Sequence, residues 1–166
     1  YHADHVGGSM MGFNIEGAST LLQLADIPIH VQTDEAPWIQ RTTGVATDSL
    51  VLHQSGDKVA VGEIEINLLH TPGHTPGSQC FLVENMLIAG DTLFLEGCGR
   101  TDLPGSNPEQ MFESLQLLSK LDDDVIVYPG HQYSIPKSMS MGEVRTTNYV
   151  FKPKTKDGWM QWFGGA

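Results

Sequence analysis

Basic residues are scarce in this chain: nine Lys and Arg stand against twenty Asp and Glu, a formal charge of −11 with histidine neutral. A phosphate backbone is gripped by clustered Lys and Arg, so no nucleic-acid partner is expected. Cysteine is scarcer still, with Cys80 and Cys98 too far apart for a CxxC pair and too few for a disulfide framework. Both read as reduced, small, apolar side chains. No apolar run approaches the roughly 20 residues needed to cross a bilayer, and the charged opening does not resemble a signal peptide. The expectation is a soluble, cytoplasmic protein with no membrane partner. Its 166 residues suit one domain, spanning 1–166, with room for a sizeable core.

Punctuation and periodicity divide the chain into short elements. Residues 16–26 form an amphipathic stretch that ends before Pro28, and "IPIHVQ" at 27–32 reads as a strand. "TDEAPWIQR" reads as a brief helix with Thr33 as its cap and acids in its first turn. From about 48 to 95, runs such as "SLVLH", "DKVAV", "EIEINLLH", "SQCFLVEN" and "MLIAGDTLF" alternate with Gly, Asp, Asn and Pro, the texture of a sheet. In "NPEQMFESLQLLSKL", Asn107 suits the N-cap, Pro108 the first helical position, and Gln110 stands at capping-box spacing. Met111, Leu115, Leu118 and Leu121 then share one face. "DVIVYPG" at 124–130 is a further strand, and the tail after it has weak periodicity and no assigned structure. Interleaved strands and helices define an α/β or α+β fold.

Histidine is what the chain has to spend on chemistry. Four clusters place metal-ligand residue types in turns: His2, Asp4 and His5 in "YHADHVGG"; His74 in "HTPGHTPGS"; Asp91 after the strand of "AGDTLF"; and His131 after that of "YPGHQYS". Each alone has an ordinary explanation as a surface loop, a cap or a turn. Together they offer imidazole nitrogens and carboxylate oxygens, the donors a hydrolytic divalent metal takes while keeping one position open for water. His30, His53 and His70 read as structural, and Trp38, Trp159 and Trp162 as packing residues.

The segments "HADHVGG", "TPGHTPGS", "GDTLF", "GCGRTDLPG" and "PGHQY" together resemble the metallo-β-lactamase superfamily, in its glyoxalase II and persulfide dioxygenase branch, over residues 1 to about 135. The resemblance implies an α+β fold, the αββα sandwich of that family, with metal at one edge between the sheets. The family motif opens HxHxDH, and its first His falls immediately before Tyr1, so the domain is expected to be N-terminally incomplete and to lack the first strands. By resemblance, His2 and His74 belong to one metal site, Asp4, His5 and His131 to a second, and Asp91 bridges them. The implied cofactors are two divalent ions, Zn2+, or alternatively a single Fe2+. The implied mechanism is attack by a metal-bound hydroxide on a carbonyl, with Asp4 orienting the water or accepting its proton. Arg100 in "GCGR" and Tyr133 match residues that contact glutathione in the branch. Arg100 could equally pair with Asp102 within "GRTD". Fewer residues follow His131 than the helical glutathione-binding domain of long glyoxalase II enzymes requires.

Three functions are therefore in view. The first is a zinc hydrolase of a small-molecule thioester such as an acylated glutathione. The second is an iron-dependent persulfide dioxygenase. The third is a catalytically silent fold that binds a ligand or partner or is completed by another chain, since an uncovered sheet edge recruits partners and a homo-oligomer is possible. Lactone or β-lactam hydrolysis stays open within the same fold.

Overall fold

Twelve strands and five helices alternate along the computed structural model, which describes residues 5–10 and 12–164. The main sheet has six strands in the order β12-β11-β8-β7-β6-β5. These are β5 (Lys58–Val61), β6 (Ile64–His70), β7 (Gln79–Val83), β8 (Met86–Gly90), β11 (Ile126–Pro129) and β12 (Met139–Ser140). Strands β5 to β8 pair antiparallel, through short turns at Gly62 and Asn85 and through the longer 71–78 loop between β6 and β7. Strand β11 then pairs parallel to β8, with Pro129 opposite Gly90.

That one parallel pairing positions the site. Parallel neighbours end side by side, so Gly90–Asp91 and Gly130–His131 leave the sheet at the same edge. The β6–β7 loop emerges at that edge too, because β7 runs antiparallel to both β6 and β8. It carries His74. A bond from Gly130 N to Gly90 O of 2.8 Å joins two of these exits directly.

One face of the main sheet is covered by α3 (Pro108–Leu118), α4 (Met141–Thr147) and α5 (Lys156–Phe163). Their shared core includes Leu87, Ala89, Val127, Met111, Leu115, Leu118, Met141, Val144 and Trp159. Each large apolar side chain buried there contributes roughly 1.5–3 kcal/mol. Helix α3 forms as its sequence predicts: Asn107 Oδ1 accepts from Gln110 N at 3.0 Å and Pro108 opens the helix. The other half of the expected capping box is replaced, since Asn107 N donates to Gly73 O at 2.8 Å and so ties the helix to the His74 loop.

Opposite the other face stand β3 (Ile29–Gln32) and β4 (Leu50–His53), a parallel pair, with α2 (Ala36–Thr43) between them in sequence. Val31, Ala36 and Ile39 form a second small core. Between this layer and the sheet lies a cavity of about 360 Å³, walled by Ile29 and Val31 on one side and Gln79 and Phe81 on the other. A hairpin of β1 (Gly8–Met10) and β2 (Phe13–Ile15) precedes α1 (Ala18–Leu24). The arrangement is the α+β, metallo-β-lactamase-type layering that the sequence motifs imply. Strands β9 (Leu93–Phe94) and β10 (Gly97–Cys98) form a small hairpin after Asp91.

Two local expectations need revision. Thr33 does not cap α2: its hydroxyl donates to His53 O at 3.0 Å, and the helix begins after Glu35, whose carboxylate is engaged elsewhere. The tail is also more ordered than its periodicity suggests. Ser140 and Glu143 form a complete capping box at the start of α4, Thr155 caps α5, and Trp159 is fully buried with Nε1 donating to Pro108 O at 2.8 Å.

Candidate metal centre

Asp91 is the hub of the predicted ligands. Its Oδ2 lies 3.3 Å from His131 Nε2 and 3.6 Å from His74 Nε2, and the ring of His5 stands edge-on to that of His131 with centroids 5.6 Å apart. Four of the six predicted ligands are thus brought into one neighbourhood. His2 and Asp4 lie outside the described residues. Among the described residues no group of three or more His, Cys, Asp or Glu stands close enough together to hold a metal ion.

The loop holding His74 is fixed from several sides. Thr71 N donates to Ser78 O, Thr75 N to Ser78 Oγ at 3.0 Å, and Ser114 Oγ to Pro72 O at 2.7 Å. The buried Glu35 carboxylate accepts from Thr75 Oγ1 at 2.7 Å and Gly77 N at 3.0 Å, clamping the loop to α2. A Cβ on Gly77 would stand 2.3 Å from Glu35, so only glycine lets the two approach. Below, Thr71 and Thr92 share a hydroxyl bond of 2.9 Å. Sequence reading missed Glu35, which it took for an acid of the helix's first turn. The signal that could have found it is an acid facing a Gly- and Thr-rich loop, visible only once the two segments are known to touch.

His74 has a defined tautomer. Its Nδ1 lies 2.9 Å from the carbonyl of Arg100, which can only accept, so Nδ1 carries the proton. In that tautomer a neutral ring would present its Nε2 lone pair towards Asp91, and two electron-pair donors would face one space. A divalent cation relieves that opposition, and a carbonyl behind the distal nitrogen is the usual support of a metal-bound histidine. Imidazole nitrogens and a carboxylate are donor types suited to such an ion. Close packing keeps these side chains in place: a Cβ on Gly99 would lie 2.0 Å from Asp91 O and 3.0 Å from the His74 ring, and one on Gly130 would lie 2.7 Å from Asp91 Oδ1.

Beside these residues opens a cleft of about 370 Å³ of mixed lining, with His74, Asp91, Glu96, Arg100, Tyr133 and Tyr149 beside Phe94 and Cys98. Tyr133 is 70% exposed, with its ring stacked on that of His131 at 5.4 Å and edge-on to Phe94 at 5.1 Å. Arg100 also reaches the cleft, but its guanidinium is held bidentately by Asp102, at 2.9 and 2.8 Å. The same bond keeps the Asp102 carboxyl below its ordinary range and raises Arg100 further. The alternative role foreseen for Arg100, a pair within "GRTD", is thus the one it adopts here.

The other histidines are occupied away from the site. His30 Nδ1 and His53 Nε2 are 2.8 Å apart with their rings stacked, and His70 Nε2 reaches Pro76 O at 2.8 Å. Cys80 and Cys98 are both free thiols, and burial pushes Cys98 up to about 12.

Residues 1–131 match the family model of the Metallo-beta-lactamase superfamily, and the chain belongs to that superfamily. It is 32% identical over 157 residues to a "Probable polyketide biosynthesis zinc-dependent hydrolase BaeB" of Bacillus velezensis, covering 94% of this chain and 64% of that protein. It is 30% identical over 156 residues to a hydroxyacylglutathione hydrolase of Aeromonas hydrophila, covering 93% of this chain and 54% of that protein. Among solved structures, ETHE1 from Myxococcus xanthus superposes with a TM-score of 0.68 at 28% identity, over 87% of this chain and 72% of that one. The chain thus spans between about half and two thirds of the length of these two curated relatives. These relatives thus include proteins of the branch that its motifs resemble. The superfamily is one of divalent-metal proteins, most of the relatives it matches being hydrolases.

Proposed function

We propose that the chain carries a divalent-metal hydrolase site acting on a thioester, such as an acylated glutathione. The observation that carries this reading is the convergence of His74 and His131 on Asp91 Oδ2, with His74 oriented by the Arg100 carbonyl. His2, Asp4 and His5 complete the donor set in this reading, which suits two zinc ions. Bound metal would supply a water of lowered pKa and a Lewis acid for the carbonyl oxygen.

The chain's own residues do the rest. His74, Asp91 and His131 hold their donor atoms towards one point at the sheet edge. Asp4 takes the proton of the attacking water. The C–O bond forms, the C–S bond breaks, and the proton passes to the departing thiolate, giving a carboxylic acid and a thiol. The mixed cleft with Tyr133 and Arg100 receives the thiol arm, Arg100 being available to a substrate carboxylate if that carboxylate displaces Asp102. The −11 charge and the want of basic clusters support a small-molecule substrate rather than nucleic acid.

The test is thioester hydrolysis by the protein expressed from its natural gene, with metal content measured before and after chelation. Chelator-sensitive hydrolysis of S-lactoylglutathione or another thioester is expected. A metal-replete protein inert on every thioester contradicts the reading. One equivalent of iron with oxygen uptake on glutathione persulfide would select the dioxygenase instead.

A further inference from the structure

His74 lines two clefts that differ in character. One is the mixed cleft just described, which Asp91 also lines; the other is a more apolar pocket of about 310 Å³ whose walls are Trp38, Pro76, Leu103 and Pro104, with Thr75 and Glu35 beside them. The pocket is built rather than incidental. Gly105, in the left-handed region at φ +86°, brings the 103–105 turn against α2: a Cβ there would lie 3.1 Å from the Trp38 ring and 3.5 Å from Pro76 Cδ. The Arg41 guanidinium also packs over the Trp38 ring, its Cζ 5.2 Å from the centroid. Glu35, the acid in the wall, has its carboxylate engaged by Thr75 Oγ1 and Gly77 N, so the lining is apolar in effect.

A thioester has two arms on either side of its carbonyl. If the carbonyl sits at the His74–Asp91 point, as the proposed function holds, the thiol arm takes the mixed cleft and the acyl arm the other cleft that His74 lines. We infer that the Trp38–Pro76–Leu103–Pro104 pocket binds the acyl arm, and that the preferred substrates carry an apolar acyl chain of several carbons rather than a small hydroxylated one. Its volume falls at the lower end of ligand pockets, enough for a chain of moderate length and not for a second large group. Leu103 is 37% exposed, an apolar surface that an acyl chain would cover.

The inference rests on the thioesterase reading, and its test is arranged to separate the two. The kcat/KM of the natural protein is measured on N-acetylcysteamine thioesters from acetyl to octanoyl, all sharing one thiol arm. It is expected to rise about three- to fourfold per methylene until the pocket is full. Trp38→Ala and Leu103→Ser are expected to lower the octanoyl-to-acetyl ratio at least tenfold. Leu103 lies in an exposed turn, so its variant keeps the test open should Trp38→Ala fail to fold. A flat chain-length profile, or a ratio unmoved by both variants, overturns the inference while leaving the hydrolase reading intact. If no thioester is hydrolysed, binding of S-octyl-N-acetylcysteamine by calorimetry decides the pocket alone. Binding weakened at least tenfold by Leu103→Ser upholds the pocket and rejects the thioesterase; no binding, or binding indifferent to Leu103, rejects the pocket.

Discussion

His131 Nε2 lies 3.3 Å from Asp91 Oδ2, although 40 positions of sequence, a hairpin and a helix separate the two residues. The contact follows from the parallel register of β8 and β11, which ends both strands at one edge. Anything that shifts that register, or widens the gap between the strand exits, disperses the donor set.

Gly99 is the most sensitive point for such a shift. A methyl group there would collide with Asp91 O at 2.0 Å and press on the His74 ring at 3.0 Å. Gly99→Ala is expected to destabilise the fold by about 1–3 kcal/mol and to lower metal affinity together with activity. Thermal melts and metal titration of the variant check both effects.

The tail supplies a contrast between two tryptophans three positions apart. Trp159 is fully buried against Phe163, with centroids 3.9 Å apart, whereas Trp162 is 60% exposed. Trp159→Ala should cost about 3–5 kcal/mol, and Trp162→Ala should stay within about 0.5 kcal/mol. Denaturant unfolding distinguishes them directly.

The difference between those residues was not readable in the sequence, where all three tryptophans had the same status as packing residues. Trp159 owes its burial to α3, whose Pro108 carbonyl takes its Nε1–H from 51 positions away. Local patterns were legible where local chemistry decides: Asn107 caps α3, and the Val- and Ile-rich runs became strands. The Ser140–Glu143 capping box was also local, but a short helix without an apolar stripe hid it. His74, Asp91 and His131 could be picked out because each stands in or beside a Gly-containing turn that follows a strand, and the three side chains do come together. Glu35 and the Arg100 carbonyl could not be, since their roles exist only through long-range contact. For Arg100 the sequence left two partners open, and the structure shows the nearer, Asp102 two residues on.

Acid should weaken the β3–β4 layer through His30. Burial, and then its neighbour His53, hold the His30 imidazole below the ordinary value. A histidine whose folded pKa is depressed stabilises the fold fully above its unfolded value of about 6.5 and loses that contribution as pH falls through the lower, folded value. The urea midpoint should therefore drop as pH falls below about 6.5, and the drop should be shallower in His30→Gln. An identical pH profile for the two proteins would contradict this.

Cys98 borders the mixed cleft, yet burial raises its thiol to about 12, so almost no thiolate exists near neutrality. Cys80, fully buried, is raised as well. Neither should react with iodoacetamide at pH 8 in the native protein, while both should react in urea. Mass spectrometry after brief labelling checks this, and rapid native labelling of Cys98 would show the cleft to be more open than described.

The most direct test of the metal centre is elemental analysis of the dialysed natural protein beside its Asp91→Asn variant, with circular dichroism to confirm that both are folded. The natural protein should retain one to two equivalents of zinc or iron, and the variant should lose most of it along with activity, by on the order of 100-fold or more, since even an outer partner's loss costs about 10–100-fold. A natural protein that binds neither metal, or a folded variant with unchanged metal content, would contradict the assignment of Asp91 as the hub of the site.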